Sequence, residues 1–77
     1  MIDVTINGEG RQVEPDQSLA DLLEALGVAA ATVVIEHNGK VVPRDQFAGT
    51  PVGEQDVIEL IRLMGEAAAF AGGRSNG

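Results

Sequence analysis

Cysteine is absent from this 77-residue chain, so neither a disulfide nor a thiolate zinc site can reinforce its fold. Histidine occurs once, at His37, which excludes the usual multi-histidine metal sites. Basic residues are scarce: five Lys and Arg stand against twelve Asp and Glu, for a formal charge of −7. Nucleic-acid binding needs cations to neutralise phosphates, and an anionic membrane attracts the same residues. Neither nucleic acid nor membrane is therefore an expected partner. The acidity suits a partner with a basic docking surface, and it equally suits simple solubility. Long apolar runs are also missing. Nothing approaches the roughly 20 residues that span a bilayer, and Met1-Ile2-Asp3 lacks the basic start and apolar stretch of a signal peptide. A cytoplasmic protein is the expectation. No paired carboxylates, nucleophile-base set or phosphate loop are recognisable. The chain is accordingly expected to be no enzyme and to bind no cofactor of its own.

What is present is a set of short, well-punctuated elements. Ile2, Val4 and Ile6 alternate with Asp3, Thr5 and Asn7, the period of a strand with one buried face. Asn7-Gly8-Glu9-Gly10 reads as a turn, and Arg11 to Glu14 as a short returning strand stopped by Pro15. Ser18, followed three residues later by Asp21, resembles a capping box. Leu19, Leu22, Leu23 and Leu26 form one apolar helical stripe, and Gly27 is a natural stop. Thr32 to His37 is apolar and β-branched, hence a strand. Asn38-Gly39 is a strong hairpin signal, with Lys40 to Val42 returning and Pro43 ending the pair. Asp45 to Ala48 suits a single helical turn, and Gly53 to Asp56 another reversal. Val57 to Met64 is the most apolar strand, interrupted by Glu59 and Arg62. Apolar residues on both its faces suggest a central strand with the helix on one side.

The order β-β-α-β-β-β, with the last strand entering beside the first, points to an α+β protein. The architecture is a β-grasp (ubiquitin-like) fold: a mixed four- or five-stranded sheet with one main helix on one face. A chain this short buries only roughly 60% of its unfolded surface, so one thin core has to suffice. The domain is expected over 1–64, with 65–77 a flexible tail, because Glu66-Ala67-Ala68-Ala69-Phe70-Ala71 is too short for a helix standing alone. Glu59 and Arg62 are expected on the open side of the sheet. The apolar remainder of that side, some of Val33, Ile35, Val57 and Ile61, would be a docking surface. His37 reads as a surface or cross-strand residue rather than a base, and Phe47 as core. Arg44 reads as a cap of the turn after Pro43 or as a partner contact.

Four segments resemble the ThiS family, the sulfur carriers of thiazole (thiamine) biosynthesis. They are the opening Ile2-Asp3-Val4-Thr5-Ile6-Asn7-Gly8, the helix start Ser18-Leu19-Ala20-Asp21-Leu22-Leu23, the stretch Asn38-Gly39-Lys40-Val41-Val42-Pro43-Arg44-Asp45-Gln46-Phe47, and the lead Val52-Gly53-Glu54-Gln55-Asp56-Val57-Ile58-Glu59. Together they cover residues 1 to about 64. The third distinguishes the chain from the molybdopterin carriers of the MoaD type. The resemblance implies a carrier whose C-terminal glycine carboxylate is adenylated by a ThiF-like enzyme using ATP. It is then converted to a thiocarboxylate, whose sulfur passes to a ThiG-like thiazole synthase. Two terminal glycines suit that task, because no Cβ blocks entry into a narrow nucleotide site.

The chain departs from the family at its end. Glu66 follows Gly65 where glycine is typical, and Gly72-Gly73 is followed by Arg74 to Gly77. Three readings stay open here: a processing peptidase removes 74–77 and exposes Gly73; Gly77 is the reactive end; or the tail is inert and the chain is a β-grasp interaction module without carrier chemistry. A carrier serving another pathway, such as methionine biosynthesis, is a further alternative. Gly72 and Gly73 are the expected thiocarboxylate site, and Arg44, Ile61 and Phe70 the expected partner contacts.

Overall fold

The computed structural model describes residues 1–63. Strand β1 (Ile2–Ile6) pairs antiparallel with β2 (Glu9–Val13). The helix α1 (Leu19–Leu26) follows, then a short 3-10 turn (Ala30–Thr32). Strands β3 (Val33–His37) and β4 (Lys40–Val42) form a second antiparallel pair. A longer 3-10 segment (Arg44–Gly49) leads to β5 (Val57–Arg62). The sheet order is β2-β1-β5-β3-β4. The last strand is therefore central, parallel to β1 and antiparallel to β3. This is the five-stranded β-grasp sheet.

Both hairpins turn on Asn-Gly. Asn7 and Gly8 have φ of 52° and 83°, and Asn38 and Gly39 have 53° and 86°. Two consecutive positive φ values match the right-handed strand twist in a two-residue loop, and Asn and Gly adopt them at least cost. Because the first turn needs only these two residues, β2 begins at Glu9, two residues earlier than the sequence suggests.

The helix is bounded as its sequence implies. The Asp21 N–H donates to Ser18 Oγ at 3.1 Å, and the Ser18 N–H donates to Asp21 Oδ2 at 3.1 Å, a complete capping box. At the other end the Val28 N–H donates to the Leu23 carbonyl and the Gly27 N–H to that of Glu24. That pair of bonds is a Schellman closure. The stripe Leu19, Leu22 and Leu23 is buried against Val4, Ile6, Val33, Ile35 and Ile58 from the sheet. Phe47 and Val52 close the cluster, so the expectation that Phe47 is core holds. The helix start is tied to the segment before β5, with Leu19 N–H donating to the Thr50 carbonyl and Val52 N–H to that of Gln17.

Ile58 is fully buried in the central strand, and its truncation leaves a cavity that five strands and a helix cannot collapse around. Ile58→Ala is expected to cost about 2–5 kcal/mol, and Ser18→Ala about 1 kcal/mol. Urea denaturation midpoints measure both, and an Ile58→Ala loss smaller than that of Ser18→Ala would contradict this account of the core.

Candidate functional site

A central strand covered by a helix on one side must present its alternate residues on the other. In β5, Ile58, Leu60 and Arg62 share the helix side, while Val57, Glu59 and Ile61 share the open side. Leu63 extends the open row, its N–H donating to the Thr32 carbonyl at 2.8 Å in continuation of the β3 ladder. The neighbouring strands add Val34 opposite Ile61, Glu36 opposite Glu59, and Val41 opposite Glu36. Val41, Val57, Ile61 and Leu63 are 63%, 46%, 45% and 56% exposed. Four large apolar side chains left in solvent on one face of a 63-residue body form a patch of the kind that marks an interaction site.

At its centre stand two carboxylates on paired strands. Directly opposed like charges weaken a sheet, and neither Glu36 nor Glu59 has an ion-pair partner among the described residues. The pair therefore does nothing for the fold. It gives the apolar patch an acidic middle.

Strand parity also corrects two expectations. Arg62 lies on the helix side and not with Glu59, because residues three apart in a strand point to opposite faces. Val33 and Ile35 are core residues at 5% and 0% exposure, and Val34 and Glu36 take the open face. Ile61 and Val57 stand where they were expected. Arg44 is exposed at the start of the 3-10 segment that carries Phe47 into the core. It makes no side-chain hydrogen bond among the described residues, so it does not cap the turn. Gly72, Gly73 and Phe70, like the whole segment 65–77, lie outside the described residues.

A polar knot fixes the beginning of β5. Asp56 Oδ2 accepts from the Gly53 N–H at 2.7 Å and lies 2.7 Å from His37 Nε2, while Asn38 Nδ2 donates to Oδ1 at 3.2 Å. Asn38 Oδ1 in turn accepts from the Val57 N–H at 2.8 Å. His37 is thus a half-buried, cross-strand residue held by a carboxylate. The sequence reading missed Asp56, although its place between a turn glycine and the last strand was visible. Burial works to raise the Asp56 pKa. The Gly53 N–H, the His37 and Asn38 side chains and the His37 charge outweigh it, and the carboxyl sits below its ordinary 3.8. Among the described residues no group of three His, Asp or Glu side chains could hold a metal ion, and no helix is long and apolar enough to cross a membrane.

The family model for the ThiS family matches residues 4–65. The chain belongs to the ThiS family. Its backbone superimposes on the crystal structure of the thiamine biosynthesis protein ThiS from Geobacter metallireducens with a TM-score of 0.74. The two are 36% identical, and the match covers 83% of this chain and 97% of that one. Among curated relatives, the thiazole synthase of Paramagnetospirillum magneticum is 32% identical over 62 residues, 80% of this chain. Those residues make up 19% of that synthase, so the chain spans about a fifth of its length. The protein ycf40 of Porphyra purpurea is 33% identical over 64 residues and is covered to 90%.

The Asp56 knot makes stability depend on pH in a definite direction. A carboxyl with a lower pKa in the folded than in the unfolded chain adds stability that is fully present above 3.8. That stability is lost as pH falls through the lowered folded value. The advantage of the parent over Asp56→Asn in urea midpoint is therefore expected to shrink as pH is taken below 3.8, and an advantage growing toward acid would refute it. Glu59→Gln, which relieves the opposed charges, is expected to raise stability by a few tenths of a kcal/mol, read by the same midpoints.

Proposed function

We propose that this ThiS-family chain is a sulfur carrier that docks through the open face of its sheet and delivers the segment following Leu63 into a partner's nucleotide site. The carrying observation is the join between the two: the exposed row Val57, Glu59, Ile61 and Leu63 runs straight into that segment along the central strand. A partner gripping this face holds the root of the reactive arm.

The chemistry follows the family. A ThiF-like enzyme condenses the terminal glycine carboxylate with ATP, forming an acyl-adenylate and releasing pyrophosphate. A sulfide-level donor then attacks the acyl carbon, AMP leaves, and a thiocarboxylate results. Gly73, made terminal by a peptidase that removes 74–77, is the carboxylate that meets the requirement for two adjacent glycines. The carrier contributes no acid or base, only a docking surface and a handle. The likeness of this chain to about a fifth of a thiazole synthase supports a ThiG-like synthase as the sulfur acceptor, because there a similar segment shares one polypeptide with the rest of that protein. The acidic centre at Glu36 and Glu59 favours a partner that presents a cation within an apolar surface.

The 77-residue chain and a version ending at Gly73 are each incubated with a ThiF-type enzyme, ATP and sulfide, and their intact masses are read. The Gly73 form is expected to gain the difference between sulfur and oxygen, and the longer chain to gain nothing; no gain on either sinks the carrier reading. Ile61→Arg and Glu59→Lys in the Gly73 form are expected to lower kcat/KM for adenylation by roughly tenfold or more, with circular dichroism unchanged. Unaltered kinetics would remove the open face from the interaction.

A further inference from the structure

A second feature lies on the opposite side of the sheet, where the C-terminal end of α1 meets the end of β5. There a cleft of about 280 Å³ has Leu26, Val28 and Leu60 among its apolar walls and Arg11, Arg62 and Asn7 as its polar groups. No carboxylate among the described residues lines it, although acidic residues outnumber basic ones by twelve to five in the chain. Glu9 shares the face of Arg11 two residues earlier on β2 but is not part of the lining, and makes no ion pair with it. Among the described residues neither guanidinium donates a hydrogen bond or forms an ion pair.

Asn7 supplies an independent indication. Its Oδ1 accepts from the Leu60 N–H at 2.8 Å, which fixes the amide and leaves its NH2 group as a donor with no acceptor among the described residues. The carbonyls at the nearby helix end do not need the arginines, since those of Leu23 and Glu24 are already closed by Val28 and Gly27. Two forked cations and an oriented amide beside apolar walls form a donor-only set, and donor-only sets fit anions.

We infer that this cleft is a binding site for a small organic dianion with a short apolar body, a phosphate monoester or a dicarboxylate. The two negative charges match Arg11 and Arg62, and the body lies against Leu26, Val28 and Leu60. The volume suits a ligand smaller than a nucleotide. Arg62 ends β5, so the bound anion sits where the chain leaves the sheet, on the side away from the docking face. The inference does not depend on the carrier reading.

The test is a nitrogen-15 amide titration of the full chain at constant ionic strength with butyl phosphate, adipate and inorganic phosphate. Saturable shifts centred on Asn7, Arg11, Val28, Leu60 and Arg62 are expected, with an organic dianion tighter than inorganic phosphate. Whichever of butyl phosphate and adipate binds tighter names the chemical source. Arg62→Gln and Arg11→Gln should each weaken binding by roughly tenfold, while Arg44→Gln leaves it unchanged. Non-saturating shifts, or affinities indifferent to Arg11→Gln and Arg62→Gln, overturn the site. So does a lowered melting temperature of those variants with no effect on ligand, which would make the arginines mere covers for the apolar edge.

Discussion

The insertion of β5 between β1 and β3 is the constraint on which the rest of the molecule depends. Within the described sheet the two hairpins β1–β2 and β3–β4 are hydrogen-bonded to each other only by way of it, and a two-stranded hairpin alone is marginal in water. The strand is secured at each end by side chains reaching across the sheet. Asp56 and Asn38 hold its start against the β3–β4 turn, while the Asn7 side-chain Oδ1 accepts from the Leu60 N–H near its finish. Both asparagines are also the first residues of their hairpin turns. One residue type thus sets the left-handed turn backbone and ties that turn to the central strand.

Placing the last strand in the middle has a functional consequence. The helix can cover one face of a five-stranded sheet, and the other stays open. The chain leaves from the end of the central strand, and not from an edge strand, so a partner that covers Val57, Ile61 and Leu63 lies beside the exit. The opposed Glu36 and Glu59 place two like charges across the β3–β5 pair, an arrangement that weakens the sheet slightly. On the helix side, Arg62 ends the same strand beside Arg11. Both faces of β5 thus carry charge near the exit, acidic on one and basic on the other.

Much of this fold is legible from local chemistry. The Ser18–Asp21 capping box, the leucine stripe and both Asn-Gly turns each have a single satisfactory conformation, and all are found as their residues imply. Phe47, read as core, is found there at 3% exposure. The face assignments were less legible. Glu59 and Arg62 both interrupt an apolar run, and treating them as one polar face overlooks the two-residue period that separates them. In β3 the run Val33-Val34-Ile35 is apolar on both sides, so hydrophobicity alone could not tell which valine faces the helix.

The sequence by itself determined the five strands and the helix, the ends of the helix, the α+β class and the family, because turns, caps and periodicity act over a few residues. Only the tertiary structure decided which residues of different strands stand together: Glu36 with Glu59, His37 and Asn38 with Asp56, Arg11 with Arg62. These partners are 18 to 51 residues apart in the chain. Their meeting depends on the register of strands around β5, and register is set by the packing of the whole core on α1.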